Sequence, residues 1–338
     1  MKVVIPVAGG GTRLKPHTLS TPKQMLKIAG VEMLNYVIDS VVKLNPDEII
    51  FVVGHHKEQI MDHIKQEYSS IPYSFVEQKV RNGDGAAVLL ALEEIEENNE
   101  DDDLFVLFGD TLIDFDIVQM VKNAKKSLGS VACQRVENPT QYGVVELNSD
   151  EKIVGVEEKP DKPKSDLAII GAYYFNSYKK VKSILREHQE KGITAKGEYR
   201  MAQVISDMAQ MKYDELNVYV VDKWFDCGRV SVLLDANSYF LQKFSTASMS
   251  NKINEDCIII PPCYISKNAQ LKRCIIGPNV SIQEGCIIED SHISNSIISQ
   301  KTELKNMHLK NSLISHDAKV YGNSQKVNIG EKCEVEFK

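Results

Sequence analysis

Short runs of consecutive apolar residues alternate with helical patterns through the first part of the chain. Val3–Val7, Glu48–Val53, Tyr73–Val76 and Leu104–Phe108 read as strands buried on both faces. Between them, apolar residues recur at helical spacing near Met33–Leu44, Lys57–Tyr68 and Ala86–Glu97. Such β-α alternation predicts parallel strands joined by right-handed crossovers. Ligands on sheets of this kind bind beyond the carboxyl ends of the strands. The expected architecture is therefore an α/β domain with a Rossmann-like mixed, mostly parallel sheet flanked by helices, over residues 1–245.

From about Lys252 the helical periodicity stops, and single aliphatic residues recur six apart. The pairs and triplets are Ile265 and Leu271, then Ile276, Ile282 and Ile288, then Ile298 and Leu304, Ile314 and Val320, and Ile329 and Val335. A hexad repeat with Gly, Asn, Ser and Pro between the aliphatics predicts a parallel β-helix, in which stacked coils align inward-facing residues. The breaks in the repeat predict a short, irregular left-handed solenoid over 252–338, with a β-sandwich as the alternative.

Composition limits the function classes. At 338 residues the chain is long enough for one large and one smaller domain, and its 43% hydrophobic and 26% charged content is that of a globular protein. A formal net charge of −7 argues against nucleic acid as a partner, because phosphate-backbone binding needs a basic stripe. No apolar run approaches the roughly 20 residues that span a bilayer. The chain opens directly into a strand pattern, without signal-peptide design. Its 7 cysteines (133, 227, 257, 263, 274, 286 and 333) contain no C-x-x-C pair, as expected of free thiols in a reducing, cytoplasmic setting.

Candidate chemistry begins with Gly9 to Lys23, which follow the first strand as GGGTRLKPHTLSTPK. A glycine-rich turn lets backbone N–H groups approach a phosphate chain, and Arg13 and Lys23 add two cations to the same loop. A dinucleotide fold would carry an acidic residue at the end of the second strand, where Gly54-His55-His56 stands. The loop also lacks the Gly-Lys-Ser/Thr ending of a Walker motif. His55, His56, Glu58, Asp62 and His63 show no strict ligand spacing and are expected on a surface helix. The acidic run Glu93–Asp103 is expected to be a helix end and solvated loop.

Val7-Ala8-Gly9-Gly10-Gly11-Thr12-Arg13-Leu14, followed by Pro16, Thr18 and Pro22-Lys23, resembles the opening motif of the sugar-1-phosphate nucleotidyltransferases. Further stretches match in the family's order. Glu77-Gln78 precedes Gly83-Asp84-Gly85-Ala86-Ala87-Val88; Leu104 to Asp110 reads as a strand ending on a carboxylate; Trp224-Phe225-Asp226-Cys227-Gly228 is similar to a W-x-D-x-G motif. On the sugar side stand Gln141-Tyr142-Gly143, Glu157-Glu158-Lys159-Pro160 and Gly171-Ala172-Tyr173. The Gly-x-Gly-x-Ala-Val run is most similar to that of uridylyl- and thymidylyltransferases.

The resemblance implies nucleotide binding by Val7, Ala8, Gly9, Gly10, Gly11, Thr12, Gln78, Gly83 and Gly85, with the Gln78 amide suited to an imide edge. It implies sugar-phosphate binding by Tyr142, Gly143, Glu158, Lys159 and Tyr173, and a Mg²⁺ cofactor on Asp110 and Asp226. The implied reaction joins an NTP, with dTTP or UTP favoured, to a sugar 1-phosphate, with glucose 1-phosphate favoured, and releases pyrophosphate. GTP with mannose 1-phosphate is the alternative within the class. Arg13 would hold the leaving pyrophosphate, Lys23 the α-phosphate and Lys159 the sugar phosphate. Arg229 stands where the family usually has threonine, which opens the possibility of another phosphate contact. A catalytically silent nucleotide-sugar-binding relative and an acyltransferase using the β-helix are the rival classes. A homo-oligomer is expected, with the β-helix serving assembly or regulation.

Overall fold

Residues 1–96, 100–211, 215–244 and 256–322 are described in a computed structural model. The chain divides into two units, Met1–Ala236 and Asn237–Lys338.

In the first unit, β1 (Lys2–Pro6) has Val3, Val4 and Ile5 fully buried, as its unbroken apolar run requires of a strand covered on both faces. A hairpin of β2 (Lys27–Ile28) and β3 (Val31–Glu32) leads into α1 (Met33–Val42). Then come β4 (Glu48–Val53), α2 (Lys57–Glu67), β5 (Tyr73–Glu77), α3 (Asp84–Glu93) and β6 (Leu104–Leu107). β1 pairs in parallel with both β4 and β6, and β4 pairs in parallel with β5. The β-α alternation read from the sequence is therefore present, with element ends shifted by a few residues.

Beyond β6 the sheet becomes mixed. The chain continues through β7 (Thr111–Ile113), α4 (Ile117–Ala124), β8 (Gly129–Arg135), β9 (Gly143–Leu147), β10 (Ile153–Glu158) and β11 (Leu167–Phe175). After α5 (Tyr178–Lys191) and α6 (Met201–Ala209) come β12 (Leu216–Val220), β13 (Trp224–Asp226) and α7 (Val230–Phe244). β11 runs antiparallel to β6, β8 and β9, and it bulges between Ile169 and Tyr173. The path across the sheet is β10-β9-β11-β6-β1-β4-β5, with β8 pairing β11 and β12. Its core gathers Val4, Val52, Val106, Val131, Phe175 and Met201 among others. Burying each such side chain contributes roughly 1.5–3 kcal/mol.

One small pairing matters most for the site. β7 and β13 form a two-stranded antiparallel ribbon in which Asp226 faces Thr111. This ribbon delivers two sequence-distant aspartates to one place.

Within the second unit, residues 258–321 form a three-sided parallel β-helix of the left-handed class predicted from the hexads. Ile265, Ile282, Ile298 and Ile314 form one ladder, and Leu271, Ile288, Leu304 and Val320 the next. The third ladder, Ile259, Ile276, Ile293 and Leu309, explains why the repeat looked broken. From Leu271 to Ile276 and from Ile288 to Ile293 the step is five residues, not six. Coils are accordingly 17 residues between Ile276 and Ile293, then 16 between Ile293 and Leu309. Asn279, Asn295 and Asn311 turn a corner in the left-handed conformation, with φ of 62, 42 and 52°. Asn is among the few residues that adopt it readily. The Asn295 amide donates to Asn311 Oδ1 at 2.7 Å. Cys263, Cys274 and Cys286 are buried in the coils, while Cys257 is half-buried. Ile329, Val335 and Cys333 lie outside the described residues.

Candidate active site

Immediately after β1 the chain leaves the sheet through Val7 and Ala8 and turns on Gly9, Gly10 and Gly11. Gly11 is left-handed, with φ of 58°, and its carbonyl accepts hydrogen bonds from Leu14 N–H at 2.9 Å and Thr18 Oγ1 at 2.7 Å. A Cβ on Gly11 would stand 2.9 Å from the Thr18 methyl, so the turn needs glycine for both conformation and space. Pro22 then starts a single helical turn, Lys23–Met25. Gln24 is buried there and donates to Val7 O at 3.3 Å, which ties the turn to β1.

Val7, which the motif assigned to the nucleotide, has its side chain and its backbone groups engaged within the protein. Its side chain is in the core, its N–H donates to Val52 O at 2.8 Å, and its carbonyl is taken by Gln24. Val7 holds the loop to the sheet and leaves the approach to Gly9 and Gly10. Thr12 and Arg13 are exposed on the short turn Thr12–Leu14.

Lys23 and Asp110 meet as an ion pair, the Lys23 ammonium donating to Asp110 Oδ2. Asp110 follows β6, and its carbonyl accepts from Cys227 N–H at 3.2 Å, directly beyond β13. Burial pushes the Asp110 carboxyl up, but the charge of Lys23 and its hydrogen bond prevail and hold it below the ordinary value. Asp226 goes the other way: burial and the neighbouring Asp110 carboxylate raise it, against Arg13, Lys23 and Arg229. The Arg13 guanidinium lies over Gly228, where an added Cβ would stand 2.4 Å from Nη2. Two carboxylates and two cations from three separate segments thus share one corner of the sheet.

A cavity of about 330 Å³ opens beside this corner. Ala8, Gly9, Lys23, Gln78, Gly83 and Asp110 line it. Gln78 directly follows β5; its N–H donates to Val53 O at 2.9 Å, and its side-chain amide donates to Gly83 O at 3.3 Å. That arrangement leaves Gln78 Oε1 to accept from a ligand. Gly83 has φ of 120°, and a Cβ there would lie 2.1 Å from Tyr199 O.

Gly85 is not among the residues that line this cavity. Its N–H donates to Tyr199 O at 2.9 Å, and it lines a second, more apolar cavity of about 400 Å³ with Val80, Leu89 and Leu185. With that donor engaged, Gly85 packs the segment against Arg200.

On the sugar side, Tyr142 packs edge-on against Trp224 at 5.2 Å, and its hydroxyl is raised by burial and by Asp226. Glu158 lies close to Gly143, since a Cβ on that glycine would be 3.0 Å from Glu158 Oε2. Lys159 is left-handed, donates its N–H to Tyr142 O at 2.9 Å, and sets its ammonium 3.4 Å from Glu158. Tyr173 is only 2% exposed and belongs to the core, stacked edge-on with Phe108. It supports the site from below and does not line the cavity. Arg229 is exposed and donates to Gln141 Oε1 at 2.7 Å.

Residues 2–243 match the family model described as nucleotidyl transferase. The chain belongs to this family. It is 32% identical over 350 residues to the bifunctional protein GlmU of Methanocaldococcus jannaschii, covering 98% of this chain and 78% of the relative. It is 24% identical to glucose-1-phosphate thymidylyltransferase of Streptomyces antibioticus, across 100% of this chain and 99% of that one. The fold is shared with the crystal structure of UDP-glucose pyrophosphorylase complexed with UDP-glucose, with a TM-score of 0.59 at 24% identity, over 72% of this chain and 98% of that chain.

This nucleotidyltransferase is therefore an enzyme of sugar-1-phosphate chemistry, and its cavity carries residues that the motifs did not name. Asp84 accepts from Arg200 Nη1 at 2.8 Å and from Met201 N–H at 2.7 Å. Arg200 also pairs with Glu198, so a carboxylate, a guanidinium and a second carboxylate form one wall. Arg81 forms part of the rim. Asp84 stands inside a quoted motif, whereas Arg200 and Glu198 reach the cavity from over 100 residues away, with no local signal to mark them.

Proposed function

We propose that this nucleotidyltransferase joins UTP or dTTP to glucose 1-phosphate, giving the nucleotide sugar and pyrophosphate. One observation carries the reading: Asp110 and Asp226, from segments far apart in sequence, converge on Arg13 and Lys23 of the glycine-turn loop. The free acceptor on Gln78 supports recognition of an imide N–H, as uracil and thymine present.

The sugar phosphate is already an anion, so no general base is needed. Its oxygen attacks the α-phosphorus in line as pyrophosphate departs, and catalysis is positioning with charge neutralisation. Lys23 neutralises the α-phosphate under attack, and Arg13 the leaving pyrophosphate. Glu158 and the Tyr142–Gly143 backbone orient sugar hydroxyls, and Lys159 leaves Glu158 to bind the sugar phosphate.

Asp110 and Asp226 fit a divalent cation, Mg²⁺ by the hardness of the two carboxylates, because Asp226 is raised by a like charge that such an ion would offset. When bound, the ion supplies charge neutralisation to the reacting phosphates. Lys23 holds Asp110 in its absence.

The test is pyrophosphate release measured across UTP, dTTP, GTP, ATP and CTP against glucose, mannose, galactose and N-acetylglucosamine 1-phosphates. Highest turnover with UTP or dTTP and glucose 1-phosphate supports the proposal. Preference for GTP with mannose 1-phosphate replaces it, and silence across the matrix sinks it. We further propose a cytoplasmic homo-oligomer, tested by light scattering of the full chain.

A further inference from the structure

The cations around the glycine turn differ in what already engages them. Lys23 is paired with Asp110, and Arg200 with Asp84 and Glu198. Arg81 lines the same cavity, is exposed, and makes no ion pair or hydrogen bond among the described residues. A Cβ on Gly10 would lie 2.5 Å from Arg81 Nη1, 3.2 Å from Cζ and 3.3 Å from Nη2. The guanidinium therefore rests against the α-carbon of the central glycine, which leaves its donors for a ligand seated on the turn.

The segment that carries Arg81 explains how it gets there. Gln78, Arg81, Gly83 and Asp84 face the nucleotide cavity, whereas Glu77, Lys79, Val80, Asn82 and Gly85 face the second cavity. Gln78 follows directly on β5, and three residues later the chain has crossed from the base side to the phosphate side. A planar guanidinium with several fixed donors suits two phosphate oxygens at once, which the point charge of Lys23 does not.

We propose that Arg81 binds the β- and γ-phosphates of the incoming nucleotide, so that one loop reads both the base, through Gln78, and the length of the phosphate chain. The assignment rests on the nucleotidyl-transfer reading above. It divides the phosphates among three cations: Lys23 at the α-phosphate, and Arg13 and Arg81 at the pyrophosphate that leaves. In the reverse direction the same residue captures free pyrophosphate.

Isothermal titration of UTP or dTTP, whichever gives the higher turnover, and of the matching nucleoside monophosphate tests this on wild type, Arg81→Ala and Arg81→Lys. Loss of a charge-assisted contact predicts that Arg81→Ala weakens triphosphate binding about 10- to 100-fold. Monophosphate binding should change less than about twofold, and Arg81→Lys should recover part of the loss. The KM for pyrophosphate in the reverse assay should rise in parallel. Equal losses for both nucleotides would place Arg81 on the base and overturn the assignment, as would unchanged triphosphate affinity in a variant whose melting curve matches wild type. A wild-type chain that neither binds nucleotide nor releases pyrophosphate overturns the underlying reading instead.

Discussion

Lys23 and Asp110, 87 positions apart in sequence, form a direct ion pair in the lining of the cavity beside the glycine turn. The pair favours the ionised carboxylate. Lys23→Ala and Asp110→Asn should each lower kcat by about 10²-fold or more, since each removes a group aimed at developing charge. Because the two act on one another, the double variant should lose much less than the product of the single losses. Pyrophosphate release measured on all four proteins decides the point; strictly multiplicative losses would mean independent roles.

Asp226 should show the opposite balance between activity and stability. Its carboxyl is raised by burial and by Asp110, so the folded chain without metal binds a proton more readily there than the unfolded chain does. The penalty of ionising it is absent below the ordinary carboxyl range, grows as pH rises to the folded value, and is constant above. Asp226→Asn should therefore stabilise the metal-free protein at pH 7 by about 0.5–2 kcal/mol while abolishing most turnover. Urea denaturation with a chelator at pH 7 and near pH 4 checks both halves: the gain must shrink at the lower pH.

Gly83 sits where only glycine is comfortable, with φ of 120° and the Tyr199 carbonyl at 2.1 Å from any added Cβ. Gly83→Ala should destabilise the protein by about 1–3 kcal/mol or more. It should also raise KM for the nucleotide, because Gln78 donates to this residue's carbonyl. A variant with unchanged melting temperature and unchanged KM would show that the segment relaxes freely.

In the β-helix, Ile282 is fully buried between Ile265 and Ile298 of its ladder. Ile282→Ala should cost about 2–5 kcal/mol. Thermal unfolding of the full chain, followed by circular dichroism, should report this loss, whereas Ile287→Ala, at a position 39% exposed, should cost far less. Comparable shifts for the two would contradict the inward and outward assignment.

Cysteine reactivity offers a chemical readout of burial. Burial raises the thiols of Cys133, Cys227, Cys263, Cys274 and Cys286, with Cys286 pushed up to about 11, so little thiolate is present at pH 8. Among the described cysteines, Cys257 alone is not buried. Brief alkylation with iodoacetamide followed by peptide mass spectrometry should find Cys257 modified well ahead of those five.

Much of this was legible because its signals are local. The apolar run of β1, the glycine turn and the carboxylate after β6 each occupy one short stretch. The match of Asp226 to Asp110 was expected from motif order, and the ribbon of β7 and β13 supplies the physical means. What escaped has a common cause. Arg200 and Glu198 enter the cavity through tertiary packing, and the engagement of Gly85 by Tyr199 depends on the same segment. Tyr173 belongs to a motif stretch but is claimed by the core. Ile293 and Leu309 were missed because a five-residue step falls outside a search for six.

That five-residue step says where this part of the chain can change length. A residue has been omitted at a corner, and the aliphatic ladder on either side continues unshifted. Within a strand the same omission would turn every following side chain to the opposite face. Single insertions and deletions should therefore survive at the corners and fail in the strands, and larger changes should be tolerated as whole coils.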